Sequence, residues 1–210
     1  MLVLCDFDGT VTEQDVTDLI WDDHLDDDWR QELFSSWTTS RMSMVEQMNL
    51  GYGRISCSPD QLLEQIRGRI RLRSGFGDFV RVVAEREWHL RVLSCGLDFY
   101  IKELLPSGIP YHCLVGEFDG AWRVTVPPDI GLGPGDDFKV HVLGRLRAQY
   151  AGRSVVYIGD GRSDFEPARR SDRVFAVAGS RLARMCHARA VACVEFSRFE
   201  EVAEALTRAG

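Results

Sequence analysis

Leu2-Val3-Leu4-Cys5-Asp6-Phe7-Asp8-Gly9-Thr10 is the stretch of this 210-residue chain on which the fold turns. Its first four residues are apolar without a polar break, the pattern of a strand buried on both faces of a parallel sheet. The run ends in two carboxylates, Asp6 and Asp8. Residues two apart leave a strand on the same face, so both acids are brought to one sheet edge.

Outward from this strand, short apolar runs alternate with longer helix-periodic segments, which predicts βαβ units and a Rossmann-like α/β core with a parallel sheet. Further strands are expected at residues 90–94 (LRVLS), 111–115 (YHCLV), 154–158 (SVVYI) and 174–177 (VFAV). Helices are expected at 76–87, 98–105, 137–150 with Asp136 as N-cap, and 199–208. Residues 14–74 break the alternation. They are helix-periodic, rich in Trp and Met (Trp21, Trp29, Trp37, Met42, Met44, Met48) and without a convincing strand, so they read as a small helical cap inserted into a core of residues 1–13 and 75–210. Residues 117–126 (EFDGAWRVTV) read as a β-hairpin turning on Asp119-Gly120 in a type I′ turn. The Gly- and Pro-rich loop PPDIGLGPGD follows it.

Composition narrows the function. Acidic residues number 32 against 25 basic, a net charge of -7, which argues against a nucleic-acid partner. No apolar run approaches the ~20 residues of a membrane span, and no basic leader or cleavage site precedes the first strand, so neither a membrane nor a secretory signal is expected. Six cysteines without a CxxC pair fit a reduced, cytoplasmic setting. Nothing in the pattern specifies an oligomeric state. Of the 25 basic residues only Lys102 and Lys139 are lysine, so chemistry that needs an amine has two candidates.

The carboxylates carry the chemistry. Asp160 follows the 154–158 strand inside GDGRSD, with Asp164 four residues on. Ligands of open parallel sheets bind at the carboxyl ends of strands, where strand order reverses. If this strand neighbours the first one, three or four carboxylates share one cleft, and charges so close need a cation. A hard divalent ion, most simply Mg²⁺, fits oxygen ligands. Ser94 at a strand end, followed by Cys95 and Gly96, offers a hydroxyl and turn amides to a phosphoryl group. Lys139, at the start of a helix, offers a positive charge.

The order DFDGT, then SCG after an apolar run, then Lys139, then GDGRSD resembles the haloacid dehalogenase (HAD) superfamily of phosphohydrolases, over residues 6 to 164. The helical insert resembles the subgroup that contains phosphoserine phosphatase and the methionine-salvage 2-hydroxy-3-keto-5-methylthiopentenyl-1-phosphate phosphatase. RSGFGDFV and LRVLSCGLDFYIKELL look closer to the latter. The resemblance implies a Mg²⁺-dependent phosphatase of a small phosphorylated metabolite. In it Asp6 is the nucleophile that forms an aspartyl-phosphate, and Asp8 is acid and then base. Asp6, the Asp8 carbonyl and Asp160 hold the metal, with Asp164 supporting them from behind. Ser94, Cys95 and Gly96 grip the phosphoryl group, and Lys139 stabilises Asp6 and the developing charge. The subgroup has glycine where Cys95 stands, which would strain a backbone at positive φ.

For the substrate, the resemblance to phosphoserine phosphatase places an acid nine residues after the nucleophile, here Asp15, and a carboxylate-gripping arginine in the cap. Around that arginine's place the chain reads VEQMNLGYGRI, with Arg54 as the one candidate. A methionine-salvage-like or related sugar-like phosphate is therefore the expected substrate, with phosphoserine as the alternative. The Trp and Met residues of the insert suit an apolar tail, although residues at such helical spacing more often serve internal packing. A phosphotransferase or mutase, and a non-catalytic phosphoryl-binding module of receiver type, remain as other readings. Phosphonate cleavage is excluded by the absence of lysine from residues 11–101.

Overall fold

The computed structural model describes residues 1–39, 42–133 and 135–208, with the side chains of Phe34 and residues 36–39 outside the description. The expected strand β1 (Leu2–Cys5) is wholly buried. It lies at the middle of a seven-stranded sheet with β2 (His89–Leu97), β3 (Tyr111–Phe118), β4 (Trp122–Thr125), β5 (Val155–Gly159), β6 (Arg173–Val177) and β7 (Val194–Phe196), in the order β4-β3-β2-β1-β5-β6-β7. All pairings are parallel except β3 with β4. From β1 the sheet grows through β2 on one side and β5 on the other, with Cys5 level with Val92 and Ile158. The strand order thus reverses at β1, and its carboxyl end is the crevice where open α/β sheets bind ligands.

Helices cover the sheet: α5 (Phe76–Glu85), α6 (Asp98–Leu104), α7 (Phe138–Gln149), α8 (Phe165–Ala168), α9 (Arg181–Ala188) and α10 (Phe199–Thr207). Between β1 and β2 the chain forms α1 (Val16–His24), α2 (Asp27–Thr39), α3 (Met44–Tyr52) and α4 (Pro59–Ile66). Asp15 caps α1 by accepting the N–H of Asp18. Capping boxes start α3 (Ser43 with Glu46) and α4 (Ser58 with Gln61), satisfying two backbone N–H groups each. The α3 helix is seated on the sheet through Asn49, whose side-chain amide donates to the Val124 carbonyl at 2.7 Å and accepts the Val124 N–H at 2.8 Å. Trp122 of β4 adds its ring N–H to the Cys57 carbonyl at 2.9 Å and its face to Tyr52, centroids 5.3 Å apart. A Cβ on Gly51 would collide with the Trp21 ring, so α1 and α3 pack as closely as they do only with glycine there. Among the described residues no helix is long and apolar enough to cross a membrane.

Three expectations are corrected in detail. The β2 strand does not end at Ser94 but continues to Leu97, with a register irregularity between Leu93 and Leu97 against β3. The N-cap of α7 is Asp137, which accepts the Val140 N–H at 2.9 Å, and not Asp136, whose carboxylate takes the Gly133 N–H instead. The hairpin pairs Phe118 with Trp122, leaving a three-residue loop in which Gly120 alone has positive φ. A two-residue type I′ turn would need it at Asp119 as well.

Candidate active site

Asp6 leaves β1 with its N–H on the Ile158 carbonyl of β5 at 2.9 Å, so the two strand ends that carry Asp6 and Asp160 stand side by side. Past Asp6 the chain makes one wide helical turn over Phe7–Val11, broken at Gly9. Gly9 has φ +69°, and a Cβ there would sit 2.6 Å from Asp160 Oδ2, so only glycine lets the turn approach that carboxylate. Thr10 donates its hydroxyl to Asp160 Oδ1 at 2.8 Å. Arg73 clamps the same turn, donating to the carbonyls of Thr10 and Gly9 at 2.8 and 2.7 Å.

Lys139, buried in the first turn of α7, reaches the centre. Its Nζ donates to Asp164 Oδ1 at 2.6 Å and lies 2.7 Å from Asp6 Oδ1 as an ion pair. Burial alone would depress this ammonium, and Asp164 and Asp6 together more than reverse that and hold its pKa well above the ordinary value. Asp164 is fully buried and saturated, because Oδ1 also accepts from the Tyr157 hydroxyl and Oδ2 accepts the N–H groups of Asp160 and Gly161. It therefore orients Lys139 and the loop after β5 and has little to offer a ligand.

Carboxylate oxygens of Asp6, Asp160 and Asp164 come within 4.8 Å of one another. Burial, then repulsion from Asp164, pushes Asp6 well above the usual carboxylate range. The same causes lift Asp160 to about 6, against the pull of Thr10, Lys139 and Arg73. An excess of buried negative charge with oxygen-only donors is the environment that a hard divalent cation satisfies. The residues present fit such an ion.

Asp8 faces the cavity differently. The Tyr100 hydroxyl of α6 donates to its Oδ2 at 2.6 Å and the Val16 N–H to its Oδ1 at 3.3 Å. Burial lifts its pKa to about 7 in spite of both bonds. A carboxyl poised there holds or releases a proton near neutral pH, as an acid/base group must. Gly96 passes directly beneath, and any Cβ on it would run into the Tyr100 hydroxyl and Asp8 Oδ2.

Ser94 is buried, and its Oγ accepts the Gly96 N–H at 2.9 Å. That amide is thereby committed within the strand, while the Ser94 hydroxyl keeps its own proton to donate into the cavity. Cys95 lies in extended strand; among the described non-glycine residues only Glu87 and Ala190 have positive φ, so the expected strain at Cys95 does not arise. Burial pushes its thiol up, which keeps it a neutral wall residue.

These groups line a cavity of about 290 Å³: Asp6, Asp8, Ser94, Cys95, Gly96, Lys139 and Asp160 at one end, and Thr17, Trp21, Met44, Gln47 and Met48 opposite. Asp15 is on its rim. Arg54 is not. It falls in the turn after α3 ends, exposed, with its guanidinium 4.3 Å from the centre of the Trp29 ring, so the expected substrate contact is withdrawn. Of the insert's tryptophans Trp21 lines the cavity and Trp29 lies under Arg54, while the side chain of Trp37 is outside the described residues. Tyr100, Thr10, Tyr157, Arg73 and Gln47 were not singled out by sequence. Thr10 stands in the quoted stretch and Tyr100 follows SCG by four residues, but no spacing announces partners 92 or 150 residues away.

The haloacid dehalogenase-like hydrolase family profile matches residues 3–169. The 2-hydroxy-3-keto-5-methylthiopentenyl-1-phosphate phosphatase of Exiguobacterium sp. (strain ATCC BAA-1283 / AT1b) is 29% identical over 214 residues, covering 95% of this chain and 94% of its own. The protein of the same name from Geobacillus kaustophilus (strain HTA426) is 29% identical over 215 residues, covering 99% and 96%. Among solved structures, a phospho-aspartyl intermediate analogue of phosphoserine phosphatase superposes with a TM-score of 0.74 at 17% identity, covering 97% of both chains.

Proposed function

The chain belongs to the haloacid dehalogenase-like hydrolase family and is a phosphatase, and from that premise we propose that it hydrolyses a small phosphomonoester through an aspartyl-phosphate on Asp6. The observation that carries this reading is the meeting of Asp6, Asp8, Lys139 and Asp160 in one cavity. Asp6 attacks phosphorus, and the bond to the leaving oxygen breaks as Asp8 hands that oxygen its proton. Asp8, now a carboxylate, takes a proton from water as the water attacks the acyl phosphate, which releases phosphate and restores Asp6. Lys139 and the Ser94 hydroxyl steady the phosphoryl oxygens through both steps. Asp6, Asp160 and the Asp8 carbonyl would hold Mg²⁺, which when bound supplies positive charge to the clustered carboxylates and the transferring phosphoryl group. Residues 14–74 would act as the cap that closes the tail end of the cavity. The six free cysteines agree with a cytoplasmic setting.

For the substrate, a methionine-salvage-like or related sugar-like phosphate is favoured over phosphoserine. Two of the relatives that align along nearly the whole chain carry the former name. The arginine expected from the insert, Arg54, stays outside the cavity with its guanidinium on Trp29. A carboxylate clamp is a strong, charge-assisted pair whose loss a phospho-amino acid would feel. The test is a panel of phosphorylated metabolites assayed with Mg²⁺ and after EDTA. Hydrolysis should vanish with EDTA, return with Mg²⁺, and rank a neutral keto- or hydroxyl-bearing phosphate above phosphoserine. Activity indifferent to EDTA, or phosphoserine as best substrate, contradicts the reading.

A second expectation concerns Gly96→Ala. The added methyl displaces Asp8 or Tyr100, and a misplacement of about 1 Å at a reacting group costs on the order of 10²-fold in rate. We expect kcat to fall by about that factor with a smaller change in KM, measured on a variant whose melting confirms that it is folded.

A further inference from the structure

Gln47 lies on α3, only 3% exposed, among the residues that line the cavity opposite Asp6. Its backbone N–H is used in the helix, bonded to the Ser43 carbonyl at 3.1 Å, yet among the described residues its side-chain amide has no protein partner. The amide opens into the cavity instead of being sealed in the core, so its donor and acceptor are left for whatever occupies that space. The helix cannot turn it away. Asn49 is held on both sides of its amide by the β4 backbone, Tyr52 is packed on Trp122, and Gly51 is pressed against Trp21.

The surroundings say what completes that amide. Its cavity neighbours Trp21, Met44 and Met48 are apolar, and Thr17 is engaged with the Tyr100 hydroxyl at 3.0 Å. Asp15 and Asp18 line the same cavity and, being acids, offer no cationic partner to a second anion. The two arginines of the lining, Arg162 and Arg181, are rooted in the chain beside Asp160. Arg162 lies two residues after Asp160, and Leu182, next to Arg181, gives its N–H to the Asp160 carbonyl at 2.7 Å. An amide carries a donor and an acceptor but no charge, and it matches a hydroxyl or a carbonyl.

Building on the phosphatase reading, we infer that Gln47 is the specificity-determining residue that reads a neutral hydroxyl or carbonyl on the carbon chain of the phosphomonoester. Sites built to hydrogen-bond a substrate polar group discriminate strongly against analogues that leave the site's own group unpaired.

The test measures kcat/KM of the Mg²⁺-loaded enzyme for three probes: dihydroxyacetone phosphate with a neutral ketone and hydroxyl, phenyl phosphate with neither, and 2-phosphoglycolate with a carboxylate. Wild type should favour dihydroxyacetone phosphate over 2-phosphoglycolate by at least about tenfold. In Gln47→Leu the ratio of dihydroxyacetone phosphate to phenyl phosphate should fall by about tenfold or more, mainly through KM, and Gln47→Arg should shift preference toward 2-phosphoglycolate by a similar factor. A folded Gln47→Leu whose ratio stays unchanged overturns the inference, and so does a wild type that prefers 2-phosphoglycolate, a result that needs no variant. Failure of wild type to hydrolyse any of the three with Mg²⁺ would instead overturn the phosphatase reading beneath it.

Discussion

Replacing Asp6 with asparagine is expected to lower phosphatase turnover by at least about 10⁴-fold, because the attacking oxygen is lost and the remaining groups act only around it. The effect on stability should run the other way. In the folded chain burial and Asp164 push the Asp6 pKa up, so the native state favours the protonated form more than the unfolded state does. A carboxyl raised in this way adds stability only at low pH, and that contribution is lost as pH rises through the folded pKa. At pH 7 in EDTA the wild type bears this cost and Asp6→Asn does not. The variant should therefore melt at the same temperature as wild type or higher, and Mg²⁺ should raise its Tm less. An inactive variant that melts well below wild type would mean that Asp6 serves the fold rather than the chemistry.

Lys139→Met is the second large effect, and it strikes both properties. The side chain is 1% exposed and is the ammonium set between Asp6 and Asp164. Breaking a buried pair by removing one partner costs about 3–5 kcal/mol, which in a chain of this size corresponds to a Tm lower by roughly 6–20 °C. Turnover should drop by about 10²-fold or more, as for other groups that stabilise charge in the transition state. The penalty has a predictable pH dependence in EDTA. Without Lys139 nothing offsets the burial and the Asp164 repulsion that lift Asp6, and the raised carboxyl destabilises the fold more as pH increases. Thermal melts at pH 5.5 and pH 8 should therefore show the larger deficit at pH 8. Lys139→Arg, which keeps the charge but not the compact ammonium, should recover part of the stability and less of the rate.

The core of this site was legible because strand physics and charge point the same way. LVLC, short and closed off by the DFDG turn, has the pattern of a doubly buried strand, and an acid at its end is exposed to the same crevice as the acid that ends SVVYI. Neighbouring of β1 and β5 then follows from one reversal of strand order. Elements with weaker patterning escaped. β7 is three residues, two of them exposed, and α9 (RLARMCHA) is eight residues long with its few apolar positions broken by two arginines and a histidine, so neither shows an uninterrupted apolar signal. Adjacent aspartates at 136 and 137 compete for one cap, and local geometry alone decides between them. Arg54 was misjudged because its role depends on where α3 stops, and helix ends are the least readable feature of a sequence. Tyr100 and Gln47 escaped for another reason: their importance lies in what they face across the fold, which composition and periodicity do not encode.

Asn49 and Gln47 stand two positions apart on one helix, so they point in different directions around its axis. One direction is an anchor bolt and the other a probe tip. Asn49 fills the hydrogen bonds that an added strand would otherwise seek at Val124, which spares the hairpin an adhesive edge and fixes the helix's rotation with the same two bonds. Residues 44, 47 and 48 are thereby free to be exchanged as a set, like interchangeable bits in a fixed chuck, without moving the nucleophile, the lysine or the acid. New substrate preferences in this scaffold should be reachable through those three positions for as long as Asn49 is kept.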